Sequence, residues 1–238
     1  MANAILMAAG LGTRLRPLTD TMPKPLLKIG NEPMIETVLR ALQEVSVRKI
    51  YLLVGFLGKQ FDYLQKKYHN LEIIINPDFQ TVNNISSIYY AADKLLESDN
   101  FICEADLFIQ DSHILKQNLS SSGYFGAMIK GYSSDWVFDL DRNGRITRVG
   151  RGGKDQYNMV GLSYFTAEDS KILSCIVKNA YKQPGYETLF WDEIVNKNLD
   201  KLKLKIYPVS KNQIVEIDTI EEFNKINEEV SRGSKRIS

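Results

Sequence analysis

The chain predicts an α/β fold: a mixed, mostly parallel sheet flanked by helices, with a small antiparallel extension. Three observations carry that expectation. Short apolar runs alternate with helical patterns through the first half, as in a sheet covered on both faces. The first run, Ala4-Ile5-Leu6-Met7-Ala8-Ala9, opens directly into a glycine turn, and open α/β sheets bind ligands at such strand ends. After Ser120 the texture changes to short strands separated by glycine turns, the mark of antiparallel pairing. At 238 residues the chain has length enough for a full core. No linker is visible before Ser231, so residues 1–230 read as one domain and 231–238 as a polar, basic tail or linker.

Taken in order, Met34, Ile35, Val38, Leu39, Leu42 and Val45 recur at three- and four-residue steps and mark the inner stripe of a helix. Residues 49–54 read as the second strand, 59–67 as a short helix, and 71–75 as a third strand halted by Asn76-Pro77. Asn83-Asn84 introduces a helix over 85–96, and 101–105 is a fourth strand ending in Asp106. Strands follow over 124–129, 137–140, 146–149 and 160–165, with Asp141-Arg142-Asn143-Gly144 as a hairpin turn. Helices over 167–181 and 191–197, strands over 204–209 and 213–217, and a closing helix over 219–230 complete the expectation.

Thirty basic residues stand against twenty-nine acidic ones. That balance argues against a general nucleic-acid or membrane-surface binder, so any basic site is local. No apolar run is long enough to span a bilayer, and the start lacks the basic region and small-residue cleavage site of a leader. The two cysteines, Cys103 and Cys175, lie far apart without metal or redox spacing. Both are expected as reduced core residues of a cytoplasmic protein. Two scattered histidines, His69 and His113, are too few for a histidine metal site or triad.

The glycine turn carries the chemistry. Its backbone N–H groups can wrap a phosphate chain, and Arg14, Arg16 and Lys24 make the expected ligand polyanionic. A P-loop would need four residues between its glycines and then Gly-Lys-Ser/Thr, which does not occur after Gly10. A dinucleotide fingerprint would need Gly or Ala where Leu15 stands, and an acid where the second strand ends in Gly55. What is present is Leu6-Met7-Ala8-Ala9-Gly10-Leu11-Gly12-Thr13-Arg14-Leu15-Arg16-Pro17-Leu18-Thr19, followed by Pro23-Lys24-Pro25-Leu26. This combination resembles the nucleoside-triphosphate transferase family that makes sugar nucleotides and CDP-alcohols. The resemblance implies a Rossmann-like fold of the nucleotide-diphospho-sugar transferase type.

Nucleotidyl transfer attacks the α-phosphorus of a triphosphate, and the charge is normally offset by Mg²⁺ on a few carboxylates plus phosphate and water. The resemblance implies one Mg²⁺ ligand at Asp106 and one at Asp218, each at the end of a strand. The plain alternatives are a loop carboxylate for Asp106 and a helix N-cap for Asp218. Glu104 and Glu216 lie two residues before each aspartate and so share its face of the strand. In Asn83-Asn84-Ile85-Ser86-Ser87 the amides and hydroxyls exceed what capping one helix requires. An amide can donate to and accept from a pyrimidine edge at once, so Asn83, Asn84 and Ser86 are candidate base readers. Ala8, Gly10, Gly12 and Thr13 would complete the nucleotide contacts through small residues and backbone.

Both tryptophans stand beside an aspartate, in Asp135-Trp136 and in Phe190-Trp191-Asp192. Aromatic faces with a nearby carboxylate suit an amine or quaternary ammonium. With Gly55-Phe56, Gln60-Phe61-Asp62-Tyr63-Leu64, Val82-Asn83-Asn84 and Glu216-Ile217-Asp218, these pieces make the chain similar to bacterial CTP:phosphocholine cytidylyltransferases, whose close relatives act on 2-aminoethylphosphonate. The likeness runs over residues 1–229. Glu104 and Phe190 depart mildly from that pattern, which leaves the amine open. The resemblance implies CTP and a phosphorylated or phosphonate amine as substrates and Mg²⁺ as cofactor. Arg14 would hold the β- and γ-phosphates, and Lys24 would bridge the α-phosphate and the incoming anion. Trp136, Phe190, Trp191, Asp192 and Glu216 would receive the acceptor. A sugar-1-phosphate nucleotidyltransferase or a non-catalytic nucleotide-binding module would share the turn.

Overall fold

The computed structural model describes residues 1–234. The first half contains β1 (Asn3–Ala8), β2 (Lys28–Ile29), β3 (Glu32–Pro33), α1 (Met34–Glu44), β4 (Ile50–Val54), α2 (Asp62–Lys67), β5 (Leu71–Ile75), α3 (Ile85–Tyr90), β6 (Asn100–Glu104) and β7 (Leu107–Ile109). The second contains β8 (Gly123–Met128), β9 (Tyr132–Leu140), β10 (Ile146–Lys154), β11 (Tyr157–Phe165), α4 (Ala167–Ala180), α5 (Trp191–Asn196), β12 (Lys205–Val209), β13 (Ile214–Glu216) and α6 (Ile220–Ser234). The main sheet runs β10-β9-β11-β6-β1-β4-β5, with β8 paired to both β11 and β12. Its block β6-β1-β4-β5 is parallel, and β11, β9 and β10 extend it antiparallel. This is the mixed sheet that the sequence predicts.

Alternate residues of the parallel strands feed two cores, because a strand presents successive side chains to opposite faces. Leu6, Leu52 and Cys103 pack beneath Ile35, Val38, Leu39 and Leu42 of α1. Ile5, Leu53 and Ile102 face Ile85 and Ile88 of α3 and Leu173 and Val177 of α4 on the other side. From β1 the chain moves out to β4 and β5 and then returns to pair β6 on the opposite side of β1. That reversal leaves a crevice at the carboxyl ends of β1 and β6.

A separate two-stranded ladder closes the crevice. β13 pairs antiparallel with β7, with Glu216 opposite Leu107 and Ile214 opposite Ile109. The ladder rests on α1 through the buried Thr37 hydroxyl, which accepts from the Ile109 N–H at 3.0 Å and donates to the Met34 carbonyl at 2.7 Å.

Several expected elements differ. The helix over 85–96 stops at Tyr90 and resumes as a 3-10 turn, Lys94–Glu97. The Ser174 hydroxyl takes the Ala92 carbonyl at 2.7 Å, so α4 satisfies a group that a continued helix would have used. β9 and β10 are nine residues each, far longer than expected, because their outer halves are polar and exposed and lack an apolar signature. β2, β3 and β7 are too short to show in sequence. The closing helix extends through Ser234, so only 235–238 of the expected tail lie outside the described residues. Cys103 is buried, whereas Cys175, also expected in the core, is exposed on α4. Among the described residues no helix is long and apolar enough to cross a membrane.

Candidate active site

The turn after β1 is shaped by Gly12, whose φ of 61° lies in the left-handed region. A Cβ there would come within 3.0 Å of Lys24 Cβ and 3.1 Å of Thr19 Cγ2. The Thr19 hydroxyl donates to the Gly12 carbonyl at 2.8 Å and locks the bend. A one-turn 3-10 helix, Thr13–Leu15, follows; it buries Leu15 and leaves Arg14 at the surface. The close approach that Gly12 permits brings the Lys24 stem under the turn.

Lys24 is the convergence point. Its Nζ lies 2.6 Å from Asp106 Oδ2 and 2.8 Å from Asp218 Oδ1, and Arg14 Nη2 reaches the same Asp218 oxygen at 2.8 Å. Burial works against the Lys24 ammonium, but the charges of Asp106 and Asp218 outweigh it and hold the group above its ordinary range. The β7–β13 ladder accounts for the meeting of acids more than a hundred residues apart. Asp106 immediately precedes β7 and Asp218 lies two residues beyond β13. Asp218 is not the N-cap of α6. Glu222 Oε2 accepts from the Asp218 and Thr219 N–H groups at 2.8 and 3.0 Å, while Thr219 Oγ1 accepts from the Glu222 N–H at 3.2 Å. This reciprocal Thr–Glu arrangement caps the helix and frees the Asp218 carboxylate for the cleft.

The cleft encloses about 780 Å³ and runs from the turn past Asp106 and Asp218 to Trp136, Arg151 and Phe190. Such a volume suits a nucleotide together with a small second molecule. Along one wall lie Asn76, Asn83, Asn84 and Ser86. Asn76 donates to Ser86 Oγ at 2.8 Å and to Ser87 Oγ at 3.2 Å. Asn83 Oδ1 accepts from the Asn84 N–H, and Asn84 Oδ1 accepts from the Trp191 N–H at 3.0 Å. Asn84 therefore caps α5, not the helix that it precedes, and joins the two sides of the cleft.

Beside the two aspartates, Glu104 and Glu216 face one another, with Asp192 near Glu104. Burial, then the charges of Glu216 and Asp106, push Glu104 upward, and burial, then the charges of Asp106 and Asp218, push Glu216 upward. Among the described residues neither carboxylate has a hydrogen-bond donor. Burial also raises Asp192 to about 7, against the opposing effect of the Tyr124 hydroxyl that donates to it at 3.0 Å. Trp136 and Phe190 meet edge to face, with ring centroids 5.5 Å apart.

The nucleotidyl transferase family model matches residues 3–126, more than half of the chain and the whole span from β1 into β8. The chain belongs to that family. A 2-aminoethylphosphonate cytidylyltransferase from Lancefieldella rimae is 51% identical over 221 residues, covering 93% of this chain and 90% of that protein. A choline-phosphate cytidylyltransferase from Streptococcus pneumoniae is 29% identical, covering 95% and 97%. The structure of CTP:phosphocholine cytidylyltransferase from Streptococcus pneumoniae superposes with a TM-score of 0.89 at 28% identity, covering 97% of this chain and all of that one.

In this nucleotidyl transferase the residues singled out from sequence line one cleft, with two exceptions. Arg16, expected among the cations of the turn, is not part of the lining and pairs with Asp20 at 3.3 Å. Trp191 is only 3% exposed and lies in the core, stacked on Tyr124 at 5.7 Å and edge-on to Phe165. As the first residue of α5, it turns inward while Phe190 and Asp192 reach the cleft. Sequence reasoning missed Asn76 and Arg151. Asn76 stands where a strand ends before proline, which is a usable signal. Arg151 had none, because its strand reads as a glycine-rich loop.

Proposed function

We propose that this nucleotidyl transferase is a cytidylyltransferase. It joins CTP to a small acceptor bearing a phosphate or phosphonate at one end and an amine at the other. The observation that carries this reading is the pairing within one cleft. A glycine turn with Lys24, Arg14, Asp106 and Asp218 forms one part, and the adjoining carboxylates of Glu104 and Glu216, which lack a donor, form the other. The first part suits a triphosphate, and the second suits an ammonium. The similarity to cytidylyltransferases over nearly the whole chain supports it.

The two aspartates fit Mg²⁺. Both are hard oxygen donors meeting at one point, and no cluster of three or more His, Cys, Asp or Glu side chains offers a protein cage among the described residues. Mg²⁺ is commonly held by one or two carboxylates with phosphate and water as the other ligands. Asp106 and Asp218 would hold it, and bound there it would neutralise charge on the triphosphate. The chain's own groups do the remainder. N–H groups of the Gly10–Gly12 turn and Arg14 grip the β- and γ-phosphates, while Asn83, Asn84 and Ser86, braced by Asn76, face the pyrimidine.

Lys24 sits between the α-phosphate and the approaching acceptor and offsets their repulsion. An acceptor oxygen forms the new bond to the α-phosphorus, and the bond to pyrophosphate breaks with its electron pair leaving on pyrophosphate. The attacking oxygen is already anionic near neutral pH, so no base is needed, and catalysis is positioning and electrostatics. Glu104, Glu216 and Asp192 anchor the amine. We place the protein in the cytoplasm, in keeping with two unpaired cysteines.

Pyrophosphate release tests the reading, with CTP or UTP supplied against 2-aminoethylphosphonate, phosphocholine, phosphoethanolamine and glucose-1-phosphate. Turnover with CTP and an amine acceptor is expected. Preference for the sugar phosphate, or release with none of them, would overturn it.

A further inference from the structure

Arg151 occupies the aromatic surface that a quaternary ammonium would need. We propose that it selects against such acceptors and makes the far end of the cleft a site for a primary amine. The inference rests on the cytidylyltransferase reading and deepens it.

A trimethylammonium group has no N–H to donate, so proteins hold it mainly against the faces of aromatic rings. Trp136 and Phe190 are the aromatic pair available at this end. Both already carry a cation. The Arg151 guanidinium carbon lies 5.5 Å from the Trp136 ring centroid and 5.3 Å from that of Phe190. The position is built into the sheet, since Arg151 on β10 pairs directly opposite Trp136 on β9. Neighbouring Arg148 is committed to Asp139 at 2.6 Å. Arg151 itself has no ion pair among the described residues, so nothing draws it from the rings. A planar guanidinium stacks on aromatic faces better than an ammonium does. A second fixed cation brought to these faces would meet like charge and would have to displace it.

A primary ammonium has different requirements: three N–H donors and no ring. Glu104 and Glu216 supply carboxylate oxygens that lack donors, with Asp192 beside them. Charge-assisted hydrogen bonds of this kind are directional and strong, and a trimethylated nitrogen cannot make them. Attraction at the acids and exclusion at the rings favour the same class of acceptor.

The test compares 2-aminoethylphosphonate with its N,N,N-trimethyl analogue, which differ only in the methyl groups, in the wild-type enzyme, Arg151→Ala and Arg151→Lys. Wild type should favour the primary amine in kcat/KM. Arg151→Ala should shift that ratio toward the trimethyl compound by about tenfold or more, mainly through its KM, as expected when one cation is removed from two ring faces. Arg151→Lys should fall between the two.

Tryptophan fluorescence gives a readout independent of turnover. Tetramethylammonium should perturb Trp136 in Arg151→Ala and leave wild type unchanged, with buried Trp191 as a constant background. A ratio within about threefold of wild type in Arg151→Ala, or a wild-type preference for the trimethyl compound, would overturn the role of Arg151 and leave the cytidylyltransferase reading standing. Wild type that releases pyrophosphate with neither compound, nor with any other amine acceptor, would overturn both.

Discussion

Asp192→Asn exchanges a carboxyl group that is 2% exposed for a neutral amide of the same shape. Burial raises this carboxyl from 3.8 to about 7. An acid whose folded-state value lies above its unfolded value keeps its proton longer in the folded protein. Its contribution to stability is complete below about pH 4 and is lost as pH rises through about 7. A tenfold change in proton affinity corresponds to about 1.4 kcal/mol, so a rise of this size gives a ceiling of about 4 kcal/mol.

The Tyr124 hydroxyl that donates to Asp192 at 3.0 Å can donate equally to the amide oxygen, so the variant keeps this contact. Urea midpoints at pH 4.5, 6 and 8 report the difference. Between pH 4.5 and 8 wild type should lose about 3 kcal/mol more than Asp192→Asn, with equal m-values. Glu104 and Glu216, also raised by burial, contribute a slope of the same sign to both proteins, and the subtraction largely removes it. Parallel curves within about 1 kcal/mol would refute the assignment of a buried, proton-retaining carboxyl at this position.

Removing the convergence point by Lys24→Ala should lower turnover by about a hundredfold or more, in line with the loss of a transition-state contact. Steady-state pyrophosphate release measures it, and a loss below about tenfold would contradict the role given to Lys24. Gly12→Ala places a methyl group at a φ of 61° against Lys24 and Thr19, with contacts of 3.0 and 3.1 Å. Thermal or urea unfolding should show a cost of about 1–3 kcal/mol. Turnover should fall with it, because the strain is borne by the Lys24 stem. Glu216→Gln should raise the KM for the amine acceptor about tenfold or more while leaving the KM for CTP within about twofold, since the bond lost is a charge-assisted one to the ammonium.

The parallel core and the phosphate turn were legible because each leaves a dense local signal. The apolar run into Gly10, the glycines and the cations of the turn all lie within twenty-one residues. Asp106 and Asp218 were singled out by the resemblance and by their places at strand ends, whereas the device that brings them together was not legible. A three-residue strand such as β7 has no periodicity to read. Long-range side-chain use was equally hidden. Asn84 looked like the cap of its own helix and instead caps α5, while capping, the plain alternative for Asp218, falls to Thr219 and Glu222. Trp191 and Phe190 are adjacent in sequence and part company only because a helix start turns one inward. The outer half of the β9–β10 hairpin, with Arg151, was lost because edge strands facing solvent carry polar and glycine residues in place of apolar alternation.

A double-mutant cycle on Asp106→Asn and Asp218→Asn, read as Mg²⁺-dependent turnover of CTP, probes most directly whether two acids from opposite ends of the chain serve one metal–triphosphate complex. Each single change should cost about a hundredfold or more, and the double variant should be scarcely worse than either, because groups that act as a unit are lost together. Losses that multiply as for independent sites, or near-normal turnover in either single variant, would contradict it.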